Sequence, residues 1–259
     1  MDYPPLFSLE GRCALITGGS RGLGKMIAAG LIAAGARVYI SSRKADHCNS
    51  AAAELSAHGS CVSLPQDLST LEGCRALAAA YGTRESALDI LVNNAGASWL
   101  ADFDTFPERG WDKVLNLNLK SPFFLTQALA PALARGATAE RPAKVINVAS
   151  MDGFILNPIE SYSYAASKAA LIHLTRRLAA RLIERHIVVT AIAPGPFASD
   201  MNVAARDHAD AVAASTPAHR VGTPEDIAGA TVYLASRAGD FVVGETLTVD
   251  GGISFAKFI

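Results

Sequence analysis

Apolar positions along the chain follow two alternating patterns. Short, nearly continuous apolar runs occupy residues 13–17, 37–41, 61–64, 89–93, 144–148, 188–192 and 246–249. Each of the first six is followed by a stretch able to form a helix. Residues 45–57 and 71–81 are rich in Ala and Leu, strong helix formers. Residues 161–185 carry apolar side chains at helical spacing. Strands that read as unbroken apolar runs are covered on both faces. The alternation therefore predicts an α/β fold: one doubly wound, seven-stranded parallel sheet, right-handed crossovers, and helices on both faces. No fixed-period repeat or low-complexity tract interrupts it. Residues 135–142 form a polar loop, and residues 194–201 break the pattern with two prolines and a glycine. The stretch 197–214 is short of large apolar residues, so a mobile lid is expected over about 196–214. No composition shift marks a second domain, and residues 1–259 read as one.

The 259 residues are half hydrophobic and 18% charged, enough to bury a large core. A formal net charge of −1 gives no reason to expect nucleic acid or an anionic membrane as the main partner. No apolar run is long enough to span a bilayer. Residues 1–10 lack a basic segment before an apolar one, so they do not read as a signal peptide. Cys13, Cys48, Cys61 and Cys74 show no C-x-x-C spacing, and Cys13 and Cys61 read as small core residues. Free thiols without an export signal point to the cytoplasm. The six histidines form no ligand pattern, and no metal is assigned.

The first candidate chemistry lies after the first apolar run. Thr17 leads into Gly18-Gly19-Ser20-Arg21-Gly22-Leu23-Gly24, and a helix follows. Glycines let a backbone approach a pyrophosphate, and the helix start offers free N–H groups. Strand before and helix after make this a dinucleotide loop of a Rossmann fold rather than a packing turn. Gly19 to Lys25 also approaches the nucleotide-triphosphatase loop, but Met26 stands where that loop needs a hydroxyl for magnesium. The second strand ends Ser41-Ser42-Arg43-Lys44, without the acid that binds a ribose 2′-hydroxyl. Arg43, with Arg21 from the glycine loop, suits a 2′-phosphate, which predicts NADP(H).

Seven motifs in order give the chain its resemblance to the short-chain dehydrogenase/reductases, over nearly its whole length. They are Thr17-Gly18-x-x-x-Gly22-x-Gly24, Asp67-Leu68, Asn93-Asn94-Ala95-Gly96, Asn116-Leu117-Asn118, Ser150 with Tyr164-x-x-x-Lys168, Pro194-Gly195, and the ending 246–252. The resemblance implies an oxidoreductase with Asn118, Ser150, Tyr164 and Lys168 as catalytic residues. Tyr164 would give a proton to a carbonyl oxygen, Ser150 would orient that oxygen, and Asn118 would position a water relaying protons to Lys168. Tyr164, not Tyr162, lies four residues before Lys168, on the same helix face. Asn118 is preferred over Asn116 because Leu119-Lys120 follows it. The implied cofactor contacts are Gly18, Ser20, Arg21, Gly22, Leu23, Gly24, Ser42, Arg43, Asp67, Leu68, Asn94, Ala95, Gly96, Tyr164, Lys168, Pro194, Gly195, Phe197 and Ser199. Ser199 stands in for a threonine usual after Pro-Gly.

Within the family, 17–24, 93–99, Gly110-Trp111 and 162–171 are most similar to NADPH-dependent 3-oxoacyl reductases of the rhamnolipid-linked branch. That implies reduction of a 3-oxoacyl thioester of coenzyme A or an acyl-carrier protein. The alternatives are another ketone or secondary alcohol (cyclic, steroid, sugar or xenobiotic), or a cofactor-binding sensor without turnover. An acidic carrier protein calls for basic residues at the pocket mouth. The candidates are Arg135, Arg141, Arg176, Arg177, Arg181 and Arg185, and Trp99 is a candidate substrate contact. Family members usually form tetramers through helices near 111–134 and 161–185 and the C-terminal strand, with the apolar tail 253–259 as a further contact.

Overall fold

The computed structural model describes residues 4–256. Seven strands form one parallel sheet: β1 (Cys13–Thr17), β2 (Arg37–Ser41), β3 (Cys61–Ser63), β4 (Ile90–Asn93), β5 (Ala143–Val148), β6 (Ile187–Pro194) and β7 (Thr246–Val249). Their order is β3-β2-β1-β4-β5-β6-β7. The chain leaves β1 in one direction for β2 and β3 and returns beside it as β4. This reversal opens a crevice at the carboxyl ends of β1 and β4, where ligands of such sheets bind.

Strand alternation divides the core into two layers. Ile16, Ile40, Val92, Ile146 and Ile192 face one side with α1 (Gly22–Ala33), α2 (Ala45–Leu55) and α9 (Pro224–Ala235). Leu15, Tyr39, Leu91, Val145 and Val189 face the other. They pack with α3 (Leu71–Gly82), α5 (Ser121–Arg135) and α6 (Tyr162–Leu182). A one-residue slip of any strand would exchange its two faces. Gly30 lets α1 approach α9, since a Cβ there would run into Ala228. Cys48 and Cys74 are the fully buried cysteines; Cys13 and Cys61, expected in the core, are half-buried at its edges.

The helical stretch expected near 111–134 is three pieces. These are α4 (Glu108–Leu115), a π-turn (Asn116–Lys120) and α5. Two short helices, α7 (Val203–Asp207) and α8 (Ala209–Ser215), occupy the expected lid. Phe197, at the start of that segment, is 3% exposed and belongs to the core, its ring stacked over Gly222. No helix among the described residues is long and apolar enough to cross a membrane.

Candidate active site

The glycine loop is braced from β4. Thr17 Oγ1 accepts the N–H groups of Asn94 and Ala95, each at 2.9 Å. Asn94 Nδ2 donates to the carbonyls of Thr17 (2.8 Å) and Gly18 (3.3 Å). Gly18 and Gly22 have positive φ, and a Cβ on Gly18 or Gly24 would collide with the Asn94 amide. The first turn of α1, with Leu23 and Gly24, has no side-chain cap, so its N–H groups remain available to an anion. Ser20 is half-buried in the loop. Lys25 pairs with Glu54 at 2.7 Å, directed away from any phosphate role.

Arg21 takes an unexpected partner. Its Nη1 lies 2.7 Å from Asp200, which also pairs with Arg206 at 3.1 Å. Ser199 lies over Gly22, and its hydroxyl accepts the Asn202 N–H. Segment 199–206 is therefore tied across the glycine loop. Ser42 is half-buried and Arg43 exposed beyond β2, with no acid between them. Beyond β3, Asp67 is exposed and accepts the Ser69 N–H, while Leu68 is buried. At the other side of the crevice Pro194 pairs with Val249, and Gly195 leaves no room for a Cβ against Asp250. The side chain of Phe197 goes to the core, so only its backbone faces the crevice side of that loop.

Behind the crevice runs a buried amide chain. Asn93 Nδ2 donates to Thr126 Oγ1 (3.2 Å) and Asn147 Oδ1 (2.9 Å); Asn147 Nδ2 donates to Thr175 Oγ1 (2.9 Å). This chain ties β4 and β5 to α5 and α6. One turn up, Asn118 in the π-turn pins the loop after β4. Its Oδ1 accepts the Ala97 N–H (2.8 Å), and its Nδ2 donates to Ala97 O (2.9 Å) and Ser167 Oγ (3.0 Å). Both amide hydrogens are thus used. A water held here must take the second lone pair of Oδ1 or a backbone group. Gly96 lies against the same oxygen.

Ser150, Tyr164 and Lys168 converge at the ends of β5 and α6. Lys168 is 4% exposed, its Nζ donates to Val148 O at 2.7 Å, and it lies 5.5 Å from the Tyr164 ring centre. Burial lowers its pKa to about 8, partly offset by Asp152. Tyr164 is half-buried. Protein packed around it raises the phenol pKa to about 12, against a hydrogen bond with Ser150 that lowers it. Asp152, a residue no sequence pattern singled out, raises it further. Tyr162 points elsewhere, its hydroxyl on Glu160 at 2.6 Å.

Trp99, in the loop after β4, is half-buried against α4. Arg109 and Lys113 lie 5.6 and 5.2 Å from its ring centre, and a Cβ on Gly110 would enter the ring. Both cations thus stand over the loop that follows β4. Arg135, Arg141 and Arg185 bond the carbonyls of Ser86, Gly11 and Ala130, and Arg181 pairs with Glu184. They lie at the opposite edge of the sheet, because helices that return antiparallel to the strands end there. Arg176 packs beside Gly244, before β7, on that same lower side. Arg177 follows it in the C-terminal third of α6.

A family model described as enoyl-(acyl carrier protein) reductase matches residues 18–254. The chain belongs to the short-chain dehydrogenase/reductase family. One member of this family, the rhamnolipids biosynthesis 3-oxoacyl-[acyl-carrier-protein] reductase of Pseudomonas aeruginosa, is 49% identical over 96% of this chain and 98% of its own. The Pseudomonas aeruginosa RhlG/NADP active-site complex superposes with a TM-score of 0.94 at 47% identity, covering 97% of this chain and 99% of that one. Another short-chain relative, gluconate 5-dehydrogenase of Gluconobacter oxydans, is 35% identical over 98% of this chain and 99% of its own.

Proposed function

We propose that the chain is an NADPH-dependent reductase converting 3-oxoacyl thioesters to 3-hydroxyacyl thioesters. The observation that carries this is the Ser150–Tyr164–Lys168 cluster at the carboxyl edge of the sheet, beside an uncapped α1 and an acid-free β2 end. Gly18, Ser20, Gly22, Leu23, Gly24, Asn94, Ala95 and Gly96 form the cradle for the pyrophosphate and the adjoining ribose. Asp67 and Leu68 flank the adenine. Pro194, Gly195, the Phe197 backbone and Ser199 border the nicotinamide. Ser42 and Arg43 meet the 2′-phosphate, joined by Arg21 when Asp200 releases it.

The bound cofactor supplies the hydride. At neutral pH Tyr164, with its phenol pKa near 12, holds the proton that a carbonyl oxygen needs. Ser150 hydrogen-bonds that oxygen and orients it. Lys168, titrating near 8, exchanges protons close to working pH and stabilises the phenolate left behind. Asn118 holds the loop after β4 and a water on the path to Lys168.

The exposed apolar side chains favour an acyl substrate over the polyols suggested by the gluconate relative. Leu100 and Phe103 follow β4, Phe154, Leu156 and Ile159 follow β5, and Met201 and Val203 follow β6. All lie on the connections that leave the carboxyl ends of these strands, where a chain of methylenes can cover them. Segment 198–214 closes over this rim as a lid. Arg109 and Lys113 offer charge to a carrier protein or to coenzyme A phosphates. The four cysteines are unpaired, in keeping with a cytoplasmic enzyme. A homotetramer through α4–α5, α6 and β7 completes the reading; the end of the apolar tail, 257–259, lies outside the described residues.

The deciding experiment is the initial rate of NADPH oxidation with a 3-oxoacyl thioester, beside the matched free ketone and NADH. The thioester should exceed the ketone, and NADPH should exceed NADH. Ketone or keto-sugar turnover without thioester turnover would discard the acyl reading and keep the oxidoreductase.

A further inference from the structure

Asp152 is the central residue of the 3₁₀ turn Met151–Gly153 between β5 and α6. Three contacts fix it. Its N–H donates to Ser150 Oγ at 3.2 Å, and its Oδ1 accepts from Asn157 Nδ2 at 3.3 Å. The next residue, Gly153, presses on α6 so closely that a Cβ would meet the backbone of Lys168 and Ala169. The turn that carries this carboxylate is thereby fastened to Ser150 and to the Lys168 backbone, next to the two ionisable groups of the site. Those groups, Tyr164 and Lys168, both stand on α6 and feel its charge. From the loop after β5 the neutral amide of Asn157 faces it. Among the described residues Lys168 is the only other charge acting on its titration.

We propose that Asp152 is a positioning residue whose negative charge keeps the proton on Tyr164 and on Lys168, setting the site for carbonyl reduction over alcohol oxidation. The proposal rests on Tyr164 being the proton donor. The physics is Coulombic: an anion disfavours a phenolate and favours an ammonium. Asp152 acts in those two directions on Tyr164 and Lys168. Reduction needs Tyr164 protonated, while oxidation needs it ionised. Burial raises the carboxyl pKa of Asp152 itself, so this bias weakens when acid protonates it.

Asp152→Asn removes the charge and keeps an oxygen for Asn157. The test is kcat/KM against pH in both directions, for wild type, Asp152→Asn and Asp152→Glu. In Asp152→Asn the alkaline limb of reduction and the rising limb of oxidation should both move about one unit toward acid. At a pH below its limb, oxidation then gains about tenfold. Asp152→Glu should restore the wild-type limbs. Limbs that coincide with wild type, or that move toward alkali, overturn the proposal. A raised substrate KM with unmoved limbs also overturns it and makes Asp152 a substrate contact. Tyr164→Phe, run in parallel, separates the two readings. If it keeps turnover, the proton-donor assignment falls; if it loses turnover while Asp152→Asn leaves the limbs in place, only the Asp152 proposal falls.

Discussion

Two polar assemblies join distant parts of this chain, and they are built differently. The amide chain Thr126–Asn93–Asn147–Thr175 is neutral and almost wholly buried, with every amide hydrogen of Asn93 matched. The ion pairs Arg21–Asp200–Arg206 are charged and about half exposed or more. Neutral hydrogen bonds can be buried at little cost when all partners are present, and costly if one is missing. Exposed ion pairs are worth about 0–1 kcal/mol and are screened by salt. The first fixes the platform under Ser150 and Lys168. The second fastens segment 199–206 over the cofactor cradle in a way that a bound phosphate can undo.

The contrast is sharpened most strongly at the fixed platform's working end. Tyr164→Phe should cut turnover by roughly 10²–10⁴-fold while leaving NADPH binding by titration near wild type; near-normal turnover would sink the assignment. Next, Asn147→Ala strands Asn93 and Thr175. It should cost about 2–3 kcal/mol, read as a lower denaturant midpoint at unchanged slope. A loss below ~0.5 kcal/mol would mean that the chain is not a fastening. Third, burial holds the Lys168 pKa near 8 against an ordinary 10.5. Between those values the unfolded chain carries a proton that the folded one lacks, so this group makes the protein more stable as pH rises through the window. The rise from this group should be on the order of 3 kcal/mol, and Lys168→Met should flatten it in melts taken across pH 8 to 10.5. Smallest, Asp200→Asn should change stability by less than ~1 kcal/mol and should lower KM for NADPH slightly, an effect that fades with added salt. A stability loss equal to that of Asn147→Ala would erase the comparison.

Much of the frame was legible in the sequence, for a physical reason. Strands covered on both faces are largely apolar, so β1 and β2 could be placed to the residue; β7, a half-buried edge strand, could be placed from the family's ending at 246–252. Ser150, Tyr164 and Lys168 could be named because family motifs carry them. What stayed hidden depends on one residue or on the third dimension. Asp152 is a lone carboxylate with no spacing to mark it. The Arg21–Asp200 pair spans 179 positions. The arginines at 135, 141, 181 and 185 could have been excluded from the mouth earlier, since the predicted alternation already sent helix ends to the far edge of the sheet. Arg109 and Lys113 come over the Trp99 ring because α4 begins just after the β4 loop.

The π-turn at Asn116–Lys120 has a consequence for chain length. An α-helix advances by about 100° per residue, and a π-turn absorbs one extra residue within it. Deleting a single residue there would let α4 run straight into α5 as ordinary helix. Every side chain on one flank would then rotate by that angle relative to the other. Asn118 would leave Ala97 and Ser167, or Leu125 and Leu129 would leave the core. Asn118 apart, this stretch should therefore bear a substitution better than a change in residue count, which makes it a keyed joint in the reading frame of the fold.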